Sequence, residues 1–173
     1  MAEILTHIAF YAGWPNAWAA FNMAKEIYAQ EIENEGDTHG GFFGLGEPNS
    51  AFAQYFIGNS YLKPLTNPKE TNIFIANVTF EPGCRNNWHI HHSTKGGGQI
   101  LLCVDGEGWY QEEGKKAQSL KPGDVVTIPA NVKHWHGAKK NSWFSHLAIE
   151  VPGENTSNEW CEPVSDEEYN NLD

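Results

Sequence analysis

Six of the eight histidines in this chain fall between positions 89 and 146, and four of them form two His-x-His pairs, His89/His91 and His134/His136. Side chains on a strand alternate between its two faces, so each pair sends both imidazoles to the same side. Two such pairs, framed by Gly and Pro, predict strands that converge on one interior point. That is how a protein builds a metal site, and the expectation is a metal-binding β-barrel.

A length of 173 residues suits one domain with a modest appendage. With 40% hydrophobic residues, seven Trp, six Tyr and nine Phe, global disorder is excluded. The net charge of −11 argues against nucleic acid and anionic membranes as partners, since a phosphate backbone needs a basic footprint. Part of the acidity lies in Glu162 to Asp173, read from charge as a solvated terminus. The three cysteines, Cys84, Cys103 and Cys161, show no C-x-x-C spacing, and their odd number argues against a disulfide framework. Cys84 reads either as a metal thiolate or as an inert buried thiol. Neither a signal-type N-terminus nor an apolar run of membrane length is visible, so the expected compartment is the cytoplasm.

Four segments are expected. In residues 1–35, Glu3 to Tyr11 and Asn16 to Glu33 predict a helical hairpin broken at Gly13-Trp14-Pro15, with Asn16 as a cap. These helices are too short to hold a core of their own, so their aromatics should dock elsewhere. Residues 36–71 are rich in Gly and Pro and read as an irregular connector with a short apolar stretch near Ala51 to Ile57. Residues 72–151 carry short β runs: Ile73–Phe80, Asn87–His91, Gln99–Val104, Gly108–Glu112, Ala117–Leu120, Val125–Ile128, His134–His136 and Trp143–Val151. Turns are expected at Glu81-Pro82-Gly83, Asp105-Gly106, Glu113-Gly114 and Lys121-Pro122-Gly123-Asp124. Strands without intervening helices point to a sandwich or barrel. Residues 152–173 form the acidic tail.

Two runs carry a family resemblance. The first takes in Gly83, His89, His91, Gln99 and Gly106; the second Gly123, Pro129, Asn131 and His134. They resemble the two motifs of the cupin superfamily, small β-barrels whose first motif usually supplies two His and a Glu and whose second supplies one His. The fold this implies is a mainly β cupin barrel, or jelly roll, preceded by the helical hairpin. The metal ligands it implies are His89, His91, Gln99 and His134. Three departures stand out. Gln99 occupies a position usually held by Glu. The gap after His91 is widened by Ser93-Thr94-Lys95-Gly96-Gly97-Gly98. Asn131 replaces a usual Gly. The wider gap makes His92 a rival ligand, but a continuing strand would turn it to the opposite face from His91.

A narrower resemblance rests on Thr79-Phe80-Glu81-Pro82-Gly83, Trp88-His89, Lys133-His134-Trp135-His136-Gly137-Ala138 and Ser145-His146-Leu147-Ala148-Ile149-Glu150. These strings look like a group of small bacterial cupins that includes manganese-dependent hydroxynitrile lyases with three His and one Gln as ligands. The resemblance implies one divalent metal per chain, manganese foremost, with Fe, Zn, Ni or Co compatible with N/O ligation. It also implies a small oxygenated substrate, Lewis-acid chemistry and a carbon–carbon lyase activity. Dioxygenase or isomerase chemistry and a non-enzymatic binding module are the alternatives; an open pocket beside the metal would favour an enzyme, a plugged barrel the binding module. Glu3 to Glu31 resemble the last two helices of a carboxymuconolactone decarboxylase-like domain, and only that tail is present. Exposed sheet edges and unattached helices lead to an expected homodimer or higher oligomer.

His136 shares a face with His134, and His146 with Phe144 and Ala148. Each reads either as a proton shuttle and candidate catalytic residue or as a hydrogen-bonded interior histidine. Trp88, Trp135 and Trp143 read as packing aromatics. Arg85 reads as a surface ion pair, with carboxylate binding the alternative. Lys95 and its glycines read as a flexible loop or a lid.

Overall fold

Short β runs between turn residues become strands in the computed structural model, which describes residues 39–172. The helical hairpin expected over residues 1–35 lies outside the described residues. One antiparallel sheet has the order β1 (Glu47–Pro48), β3 (Ser60–Pro64), β4 (Phe74–Phe80), β13 (Phe144–Glu150), β8 (Gly98–Gly106) and β11 (Val125–Pro129). The second runs from β10 (Gln118–Leu120) through β9 (Gly108–Glu112) to β12 (Lys133–Ala138). There β12 meets two short strands, β5 (Arg85–Asn86) near its end and β6 (His89–His92) near its start. Strand β2 (Phe56–Ile57) flanks β5, and β15 (Ser157–Trp160) flanks β6. A separate ladder pairs β7 (Lys95–Gly96) with β14 (Gly153–Glu154). This is the jelly roll expected from the sequence.

Period-2 patterning places the core. On β11, Val126 and Ile128 are buried while Val125, Thr127 and Pro129 face out. They join Val78, Phe80, Leu101, Cys103, Phe144 and Ala148 in one apolar cluster. Each fully buried Leu, Ile or Phe side chain there contributes roughly 1.5–3 kcal/mol. Cys84 belongs to the same cluster and lies outside the histidine group, and burial pushes its thiol up to about 12, so it packs as an apolar group.

Two segment boundaries differ from the sequence expectation. Residues 36–71, read as an irregular connector, supply β1, β2 and β3 to the sheets and a short helix α1 (Pro68–Thr71). Residues 152–173, read as a solvated acidic tail, supply β14, β15 and helix α2 (Asp166–Asn170). Helix α2 is closed by a capping box between Ser165 and Glu168. It covers a second cluster in which Val164 and Tyr169 pack on Trp88 and Trp135. Local charge concealed this because the apolar residues it buries, Trp88 and Trp135, lie far away in sequence.

Arg85 is likewise no surface ion pair. It is 4% exposed, donates to the Val164 carbonyl from Nε and Nη2 at 3.3 and 3.1 Å, pairs with Asp166, and lies 4.4 Å over the Tyr169 ring. Among the described residues no helix is long and apolar enough to cross a membrane.

Candidate metal centre and pocket

β6 and β12 pair directly, with His134 opposite His89. Opposed residues of an antiparallel pair share a face, so His89, His91, His134 and His136 all turn to the interior, where they are buried. Ring centroids lie 4.1 Å apart for His89 and His134, 5.2 Å for His89 and His91, and 5.5 Å for His91 and His134. One nitrogen from each of these three lies within 4.8 Å of the others. Trp135, between the two inward histidines, faces the outer cluster.

The far nitrogens are tied. His89 Nδ1 pairs with the Asn87 carbonyl at 3.0 Å and His134 Nδ1 with the Val132 carbonyl at 2.9 Å. His91 Nδ1 pairs with Asn158 Oδ1 at 2.9 Å. Each acceptor requires a proton on Nδ1, which leaves Nε2 with its lone pair toward the cluster. His91 Nε2 and His134 Nε2 are buried without a hydrogen-bond partner, and so is Gln99 Oε1. Orphaned lone pairs on three buried side chains are costly unless a cation satisfies them. These residues fit a divalent metal.

Gln99 lines the same pocket as His89 and His91, and the widened gap before it is taken up by three consecutive glycines with positive φ, Gly96, Gly97 and Gly98 at 63°, 77° and 93°. The stretch is not a free loop: β7 within it pairs with β14, and the Ser93 hydroxyl donates to the Lys95 and Glu154 carbonyls. His92 turns to the opposite face, with Nε2 2.6 Å from Glu159 and Nδ1 3.2 Å from Asn131. The Glu159 hydrogen bond, then that of Asn131, holds its imidazole above the usual range. Asn131 stands where a Gly is usual because its φ is 66°, a left-handed conformation that Asn tolerates.

Burial sets the protonation states. Desolvation, reinforced by the neighbouring imidazoles, holds His89 well below its ordinary value, and desolvation brings His134 down to about 4. Desolvation and the nearby His146 do the same to His136. Burial alone brings His146 to about 3. All four are neutral at pH 7. Burial would raise the Glu150 carboxyl, but hydrogen bonds from His91 and Gln99 outweigh it and hold the group below the usual range.

Beside the cluster lies a pocket of about 590 Å³. Phe56, Phe80, Val78 and Trp160 give it an apolar wall, while His89, His91, Gln99, His136 and His146 also line it. The barrel is therefore open, not plugged. His136 is clamped by Asn86, whose oxygen accepts from the His136 backbone N–H at 2.9 Å and whose amide nitrogen lies 3.1 Å from the ring Nε2. His146 stands 4.7 Å from His136, ring centre to ring centre, and both its nitrogens are buried without a partner.

Sequence reasoning missed Asn86, Glu150, Asn158 and Trp160. Glu150 was within reach, since it shares the period-2 face of His146 and Ala148. Asn158 and Trp160 carry no local signal: their place follows from the pairing of β15 with β6.

Two sheets enclosing a buried cluster of three histidines are the architecture of a metal-binding cupin. The model of the cupin domain matches residues 76–149. An (R)-mandelonitrile lyase from Granulicella tundricola is 40% identical over 118 residues, 68% of this chain and 87% of that protein. The crystal structure of a cupin-like protein from Thermotoga maritima is 38% identical with a TM-score of 0.66, covering 76% of this chain and 96% of that one. A cupin 2 conserved barrel domain protein from Rhodopseudomonas palustris, 16% identical with a TM-score of 0.54 over 69% of this chain and 77% of that one, shares the fold. The chain belongs to the cupin family.

Proposed function

We propose that this cupin is a metal-dependent lyase that breaks or forms the carbon–carbon bond of a cyanohydrin. His89, His91, Gln99 and His134 hold one divalent metal, manganese foremost. Bound there, the metal supplies Lewis acidity toward the hydroxyl or carbonyl oxygen of the substrate. The observation that carries the reading is the set of orphaned donors on His91, His134 and Gln99 beside an open pocket of ligand size. The mandelonitrile lyase relative, 40% identical over most of its own length, supports the choice of reaction. The open pocket favours an enzyme over a non-enzymatic binding module.

In the cleavage direction the hydroxyl proton passes to a base, the bond to the nitrile carbon breaks, and cyanide departs with the electron pair. An aldehyde or ketone remains, and cyanide takes up the proton. His146 is the base we assign to this step, since it faces the pocket and neither ring nitrogen has a hydrogen-bond partner, so whichever carries the lone pair can accept the proton. Among the described residues it has no carboxylate partner to stabilise an imidazolium, so the departing cyanide is the anion that pairs with it and receives its proton. His136, against His146, orients that ring and can relay the proton. Phe56, Phe80 and Trp160 hold the organic group and exclude water.

Elemental analysis of protein purified without chelator or His tag, with His91→Ala as control, tests the metal. Benzaldehyde release from mandelonitrile by the metal-loaded protein tests the reaction. About one metal per chain, lost in the variant, together with metal-dependent release, is the expected result. A loaded protein that releases no carbonyl compound from aromatic or aliphatic cyanohydrins sinks the lyase assignment.

A further inference from the structure

Gln99 and Glu150 stand directly opposite each other in the β8–β13 ladder. Their side chains therefore share a face, and both line the pocket. Gln99 Nε2 donates to Glu150 Oε1 at 2.8 Å. The other oxygen of Glu150 lies 3.2 Å from His91 Nδ1. One carboxylate thus backs two of the four ligand side chains, touching each through a nitrogen other than its candidate donor atom.

A glutamine amide has two unlike ends, and only its oxygen offers a lone pair to a cation. An ionised carboxylate only accepts, so the amide beside it must present its NH2 group to Glu150. Oε1 is then the end left buried and unpartnered. Among the described residues, Glu150 is the hydrogen-bond partner that sets this orientation of the Gln99 side chain. His91 differs: Asn158 accepts from the same Nδ1 at 2.9 Å and holds that ring independently.

We propose that Glu150 is a positioning residue that fixes Gln99 as an oxygen donor, and that it acts on the site chiefly through Gln99. An imidazole that offers a lone pair to a cation carries no charge, and neither does an amide, so Glu150 would also supply a negative charge immediately behind such a ligand set. This inference rests on the metal-site reading above.

The test is a double-mutant cycle on metal affinity. Manganese(II) alone is titrated into metal-free wild type, Glu150→Ala, Glu150→Gln, Gln99→Ala and the Gln99→Ala/Glu150→Ala double variant, with free ion counted by electron paramagnetic resonance. Loss of a residue that orients a ligand lowers affinity by about 10- to 100-fold, and that is the expectation for Glu150→Ala. Glu150→Gln should fall as well, because Gln99 and His91 meet different oxygens of Glu150 and one of these becomes an NH2 group that cannot accept. In the Gln99→Ala background the effect of Glu150→Ala should shrink to a few-fold, the part carried by His91. A merely structural role would give the same factor in both backgrounds and would overturn the inference. Unchanged affinity in Glu150→Ala would overturn it too, while leaving the metal site standing. A wild type that binds no manganese or other divalent metal would remove the metal-site reading and this inference together.

Discussion

Asn158 Oδ1 lies 2.9 Å from His91 Nδ1, which places the orientation of one candidate ligand in the hands of β15. The ladder of β15 with β6 is held by backbone pairing, so Asn158→Ala should leave the strand in place while leaving Glu150 as the partner of His91 Nδ1. The expected result is a drop in metal affinity of about tenfold with little change in the melting temperature of the metal-free protein. Affinity equal to wild type would mean that Glu150 alone suffices to hold the ring.

Asn131 combines a left-handed backbone with three side-chain contacts. Its Nδ2 donates to the Ser93 carbonyl at 2.9 Å, and its Oδ1 lies 3.3 Å from the Ser93 amide and 3.2 Å from His92 Nδ1. Asn131→Gly keeps the backbone and loses those contacts; Asn131→Ala also pays for the left-handed conformation, about 1–2 kcal/mol. Urea unfolding should therefore rank the variants wild type, Gly, Ala. Equal stability of the two variants would show that the positive φ carries no cost here.

The ligand strands were legible because they carry an explicit signal. His89, His91, His134 and His136 obey a period of two, and the glycines and prolines around them mark the turns, so the eight expected strand runs of residues 72–151 recur with shifts of a residue or two. Gln99 could be placed only through the family resemblance, since the spacing of the three glycines does not by itself say how far the turn carries it. The outer elements were not legible. β2, β3 and β15 hold a place because of what they pair with, and long-range pairing leaves no mark on a two- to five-residue segment. Helix α2 is likewise fixed by Trp88, Trp135 and Arg85, far away in sequence.

Arg85 should be the latch of that helix. Its guanidinium makes a planar, multidentate set of contacts to Val164, Asp166 and the Tyr169 ring, which a lysine cannot reproduce. Arg85→Lys should speed amide hydrogen exchange in residues 161–172 while leaving β8 and β13 protected. Unchanged exchange would show that the apolar contacts of Val164 and Tyr169 hold the helix unaided.

His136 and the candidate metal ligands should separate experimentally. Its ring faces the Asn86 amide and His146, and three other histidines form the tight cluster. His136→Ala should retain about one metal per chain yet turn over cyanohydrin about 100-fold more slowly, the low end of a proton-transfer contribution. Metal lost from this variant would instead make His136 a ligand.

His146 should make the metal-free fold sensitive to acid. In the unfolded chain its imidazole takes up a proton near pH 6.5, whereas in the folded chain burial lowers the value to about 3. Below pH 6.5 the unfolded state therefore binds more protons, and stability falls as pH falls until the folded group also protonates. Within that window one such histidine contributes a slope of up to about 1.4 kcal/mol per pH unit. Above pH 6.5 both states are neutral and the group contributes no slope. His146→Leu, similar in bulk and apolar like the Phe80 and Phe144 rings beside it, should flatten the pH dependence of urea stability between pH 6 and 4.5 by about one proton's worth. Parallel curves for wild type and variant would show that the imidazole is solvated or partnered in the folded protein, and would remove the argument for His146 as the free base of the pocket.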